Sequence, residues 1–81
     1  MNVKITAKAN ASSRTKNRIR ENGNLFTLKR VDNATCFHNR ECALLEAHTC
    51  TASNGQGGKE HWLGWIPTDE IEMESLDLPA L

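Results

Sequence analysis

The chain has 81 residues, with ten Lys or Arg balanced by ten Asp or Glu. That length holds one domain. It leaves no room for an enzyme fold built around a large substrate pocket, and zero net charge excludes a generally polycationic nucleic-acid binder. The neutrality hides a polarity. Residues 1–40 carry nine bases and two acids, net +7, and residues 41–81 carry one base and eight acids, net −7.

Hydrophobic residues make up 38% of the chain, and many of them are Ala. A core this small typically supplies only ~3–5 kcal/mol without a metal, disulfide or oligomer to help it. No apolar run approaches the ~20 residues that span a bilayer. The N-terminus has no apolar stretch of signal-peptide type. Three cysteines, Cys36, Cys42 and Cys50, are an odd number and suit a reducing compartment better than a disulfide scaffold. A cytoplasmic protein without membrane contact is therefore expected.

In chain order, Val3, Ile5 and Ala7 alternate with Lys4 and Thr6, the period of a half-buried strand. Residues 9–22 contain Ile19 as their one large apolar side chain. A helix capped by Ser12 or Ser13 and stopped at Gly23 would be marginal, so a long exposed loop with at most one helical turn is expected. Gly23-Asn24 signals a turn. Residues 25–31 read as a second strand with Phe26 and Leu28 on one face, ended by a turn at Asp32-Asn33. A third strand is expected from Glu41 to His48, favoured over a helix by its length. Residues 51–60 hold three of the five glycines and read as a hairpin loop. His61–Ile66, with Trp62 and Trp65, is the fourth strand. Residues 67–70 form a tight turn and Ile71–Glu74 the fifth strand. Short strands and loops in so short a chain imply an all-β, five-stranded barrel or half-open sandwich over residues 1–75, with a tail at 76–81.

The segment Gly64-Trp65-Ile66-Pro67-Thr68-Asp69-Glu70-Ile71 resembles the end of a Src-homology-3 domain, which reads Gly, aromatic, Ile or Val, Pro, Ser, Asn, Tyr, Val. The order of residues 3–28 resembles the bacterial type of that domain: a strand, a Ser/Thr-rich loop, then a basic stretch ending in Gly before the second strand. Arg18, Arg20, Gly23, Phe26 and Leu28 stand at matching places. The resemblance spans about 1–74 in element order and is specific in identity over 64–71. It implies a small barrel with a long first loop and a single 3-10 turn before the last strand. Departures from the pattern bear on function. The chain has no Tyr, Cys42 and Ala43 stand near the Trp positions of the third strand, and Glu70 replaces the turn Tyr. Pro67 alone survives from the peptide groove. Polyproline ligands need an aromatic-lined groove, so their recognition is not expected.

All Cys and His residues fall between positions 36 and 61. No cofactor is expected. Zinc is the alternative that the pairs Cys36-x-His38 and His48-x-Cys50, with Cys42 between them, leave open, since residues two apart on a strand share a face. The plainer reading makes Cys36 and Cys42 small core residues. A Cys–His nucleophilic pair is conceivable, but no oxyanion hole or orienting third group is marked, so no enzymatic activity is expected. Arg14, Lys16, Arg18 and Arg20 form a basic segment that phosphates would suit. Single-strand binding also wants stacking platforms, and Trp62 and Phe37 are the candidates. The acidic end, Asp69, Glu70, Glu72, Glu74 and Asp77, is expected to fold back on the first strand, with Lys4 and Lys8 beside Glu72 and Glu74.

The expected function is non-catalytic binding of a larger protein by a small modulator or inhibitor, an economy seen in phage and mobile-element proteins. The expected surface joins Trp62 and Pro67 to Arg14, Arg18 and Arg20 or to Asp69 and Glu70. Trp62 is either an interface anchor, worth ~2 kcal/mol or more of binding, or a cover for the open end of the barrel. Nucleic-acid binding through residues 14–20 and a zinc-stabilised module are the alternatives.

Overall fold

The computed structural model describes residues 1–53 and 58–76. Of the glycine loop expected at 51–60, residues 51–53 and 59–60 instead extend the third and fourth strands, whose cross-strand pairing runs on to Ser53 and Lys59; positions 54–57 and the tail beyond 76 lie outside the described residues. Five strands run β1 (Asn2–Ala7), β2 (Leu25–Ala34), β3 (Arg40–Ser53), β4 (Lys59–Pro67) and β5 (Ile71–Ser75). They form one antiparallel sheet in the order β4-β3-β2-β1-β5. The all-β class expected from the sequence is the one found.

The sheet is rolled rather than flat. Five strands laid flat at about 4.8 Å spacing would hold β4 and β5 roughly 19 Å apart. Yet β4 and β5 are joined by a three-residue 3-10 turn, Thr68–Glu70, and such a turn advances only about 2 Å per residue. The two edge strands must therefore approach each other. The core agrees: Val3, Ile5, Phe26, Leu45, Ile66 and Ile71, drawn from all five strands, pack in one buried cluster. Register shifts in β2 and β3 give the long hairpin the extra bend that this closure needs. The architecture is compatible with a small barrel of Src-homology-3-like form.

The main departure from expectation is α1, a ten-residue helix at Ser13–Asn22 where a loop was expected. Its inward stripe is Thr15, Ile19 and Asn22, spaced at helical period but mostly polar, with Ala11 continuing the stripe just before the cap. Ala11, Thr15 and Asn22 are buried, and Ile19 packs on the core cluster. Ser12 caps the helix through its hydroxyl, which accepts from the Thr15 N–H at 3.3 Å. Glu70, remote in sequence, then accepts from the Ser12 N–H and from the Thr15 hydroxyl, both at 2.8 Å. A capping box normally takes its acid from the third helical position; here Glu70 supplies it from the opposite end of the chain. At the other terminus, the Asn22 amide donates to the Arg18 carbonyl and its oxygen accepts from Thr51 of β3. Gly23 ends the helix at φ 77°, a conformation that side chains resist.

The turn expected at Asp32-Asn33 lies inside β2, whose pairing with β3 runs on to Ala34↔Arg40. Burial of Ala34 holds the strand together to that point. The chain reverses instead through a 3-10 turn at Thr35–Phe37 and two left-handed residues, His38 and Asn39. No helix among the described residues is long and apolar enough to cross a membrane.

Candidate aromatic and arginine groove

A groove of about 220 Å³ opens between α1, the Thr35–Phe37 turn and β4. Arg14 and Arg18, four residues apart, project from one face of α1. The Arg14 guanidinium lies 4.9 Å from the Phe37 ring centroid, and that of Arg18 lies 5.5 Å from the Trp62 ring. Both distances are within cation–π range. The tight Ala34–Asn39 reversal is what delivers Phe37 to the rim: the His38 N–H donates to the Thr35 carbonyl and the Asn39 N–H to that of Ala34.

Trp62 is half-buried, and it serves as both core cover and groove wall. It packs on the core cluster and meets Phe26 edge-on, with ring centroids 6.3 Å apart. Gly64, two residues on and on the same strand face, leaves the space its indole occupies. A Cβ at Gly64 would stand 2.5 Å from Trp62. Trp65 points to the other face, half-buried beneath Arg30 at 5.4 Å. Of the two readings left open for Trp62, the cover of the core is the one its packing matches, while its exposed part still lines the groove.

Among the described residues, Arg14 makes no hydrogen bond or ion pair. Arg18 has a single long contact, 3.9 Å to Glu21 of its own helix. A guanidinium whose face lies on a ring keeps its N–H edge for a planar acceptor, and carboxylates and phosphates fit that edge.

The other expected surface residues divide. Arg20 is exposed and bonds Asn17, on the helix but outside the groove lining. Asp69 is exposed and is held by Arg40 at 2.5 Å. Pro67 is fully buried, because it ends a strand paired with buried Cys42; it presents no surface to a partner. Glu70 is also buried, and its carboxylate is taken up by Ser12, Thr15 and Arg40. Burial would push this carboxyl up, but hydrogen bonds from the Ser12 N–H, then Thr15 and Arg40, outweigh it and hold the group down at about 2. Arg40 is raised above its ordinary value, first by its bond to Asp69. These groups anchor α1 to the barrel.

The zinc alternative is not assembled. Cys36 and His38 sit in the β2–β3 reversal, with His38 a left-handed turn residue. Cys42 is buried at the start of β3, and burial pushes its thiol up. His48 and Cys50 lie six and eight residues further along that strand, roughly 20–26 Å away at strand rise. Among the described residues no three His, Cys, Asp or Glu side chains gather as a metal site. One pairing that spacing alone could not reveal is Cys50 with His61, which face each other across β3 and β4.

Comparison with known proteins finds no matching family model, no matching curated protein and no matching solved structure.

Proposed function

We propose that this chain is a non-catalytic binding module of Src-homology-3-like form, which modulates a larger protein by docking an acidic segment of it in the α1–β4 groove. The observation that carries this reading is the pair of arginines laid over Phe37 and Trp62, whose N–H edges meet no acid among the described residues apart from the long contact of Arg18 with Glu21. Trp62 and Arg18 are residue types that dominate interface energetics. Proline-rich ligands have no support, since Pro67 is buried and no tyrosine stands beside it.

The basic face of α1 also suits phosphate, but the stacking platforms that single strands use are occupied. Phe37, Trp62 and Trp65 each lie under an arginine, and Phe26 is in the core. The reading therefore favours carboxylates on a protein.

The test is fluorescence anisotropy on the full chain, with a labelled Glu/Asp-rich peptide and a single-stranded oligonucleotide of matched charge as probes. The peptide is expected to bind more tightly, and to quench Trp62. Replacing both Arg14 and Arg18 by Ala is expected to weaken it roughly tenfold or more, about 1.4 kcal/mol, with the thermal transition retained. Preference for the oligonucleotide, or peptide affinity unchanged in the double variant, would overturn the reading.

A further inference from the structure

Toward the tip of the β3–β4 hairpin, Cys50 and His61, the latter one residue before the groove wall Trp62, are cross-strand partners, and both are exposed. The Cys50 Sγ lies 3.2 Å from the His61 Nε2. The His61 Nδ1 lies 2.7 Å from the Ala47 carbonyl oxygen. A carbonyl only accepts, so Nδ1 carries the proton. In the neutral ring Nε2 is then the acceptor, and the Cys50 S–H is the donor it faces. The third, orienting group that the sequence does not mark is this backbone carbonyl. The register shifts on both sides of Cys50 explain why it is there: a bulged strand re-aims its side chains and leaves backbone groups outside the ladder.

We infer that Cys50 and His61 form a thiol-exchange site, at which Cys50 takes up a thiol from a low-molecular-weight disulfide. The inference is independent of the groove and of any partner docked there. Acyl transfer would need an oxyanion donor and an enclosing pocket, whereas Cys50 stands on open surface. Exchange with a small disulfide needs only an accessible thiol and a base in line with it. Metal binding is the poorer fit, because no third ligand joins the pair among the described residues, and the nearby His48 bonds Thr27 at 3.1 Å.

The step balances with the disulfide as oxidant. The S–H proton passes to His61 Nε2 as the Cys50 sulfur attacks one sulfur of the disulfide. The new Sγ–S bond forms, the old S–S bond breaks, and its electron pair leaves on the departing sulfur, which takes the proton from His61. Cys50 is oxidised to a mixed disulfide and one equivalent of small thiol is released.

The chain contains its own controls. Cys36 is exposed, with no His bonded to it among the described residues, and Cys42 is buried. The full-length reduced protein is treated with oxidised glutathione, and each cysteine is followed by peptide mass spectrometry. Cys50 is expected to react roughly tenfold or more faster than Cys36, a threshold set below the roughly 100-fold or more that a positioned base typically contributes. His61→Ala is expected to bring Cys50 down to the rate of Cys36 and to leave Cys36 unchanged. Equal rates in the wild type, or a Cys50 rate untouched by His61→Ala, would overturn the inference. Exposure of Cys42 to reagent in the variant would report unfolding, and the wild-type comparison of Cys50 with Cys36 then decides alone.

Discussion

The Glu70 carboxylate takes hydrogen bonds from the Ser12 N–H, the Thr15 hydroxyl and the Arg40 guanidinium. Its folded value, about 2, lies below the ordinary 4.5, so between the two the folded chain binds fewer protons than the unfolded one. Its contribution to stability is fully present above about 4.5 and is lost as pH falls through about 2. The shift corresponds to on the order of 3 kcal/mol. Urea unfolding of the wild type at pH 6 and at pH 2 is expected to differ by more than that of Glu70→Gln. The amide keeps an oxygen for Ser12 but cannot titrate. Glu70→Gln is also expected to be the less stable protein at pH 6, and superimposable pH profiles would remove Glu70 from this role. As a residue type in a sequence, Glu70 looks like part of an acidic turn. Its burial follows from a partner 58 positions away, which no local pattern displays.

Among the elements, the five strands are legible as short segments between turn signals: Val3 and Ile5 alternate inward as expected, and Phe26, Ala43, Leu45, Ile66 and Ile71 join them in the core. Helix α1 is legible at its ends, Ser12 and Gly23, but not as a stable element, for a physical reason. Its inward stripe includes Thr15 and Asn22, whose burial is made tolerable by Glu70 and Thr51 rather than by hydrophobicity. Short helices are marginal in water without tertiary support. A peptide of residues 9–24 is accordingly expected to show little helix by circular dichroism. In the intact chain, Thr15→Val keeps the shape and removes the hydroxyl bond to a charged acceptor. It is expected to cost about 1–3 kcal/mol in denaturant unfolding, against about 0.5 kcal/mol or less for Ser13→Ala on the exposed side. Equal effects would mean that α1 is held by packing of Ile19 alone. The groove shares this history. Arg14 and Arg18 are visible as bases in the sequence, but only the helix puts them on one face, and only the left-handed residues His38 and Asn39 bring Phe37 to meet them.

In the whole molecule, the opposed charges of the two halves are partly folded onto each other. Lys4 stands opposite Glu74 in the β1–β5 ladder. Arg40 is bonded to Asp69 and Glu70, and Lys29 lies 4.0 Å from Glu46. Each of these joins a base from the first half to an acid from the second, so the polarity acts partly as a register device for closing the roll. The exposed bases of α1 have no such counterpart beyond Glu21 among the described residues. The two sets of charges should therefore respond differently to reversal. Lys4→Glu is expected to lose about 0.2–1 kcal/mol of stability, and adding Glu74→Lys should restore most of it. Lys16→Glu with Arg20→Glu is expected to change stability by about 0.5 kcal/mol or less, while weakening the acidic-peptide probe in a way that diminishes as salt is raised. Exposed charges act over about 10 Å at 0.1 M salt and over about 3 Å at 1 M. If α1 reversal instead destabilised the fold as much as Lys4→Glu, its bases would be structural, and the basic face would no longer be available as the steering surface of the groove.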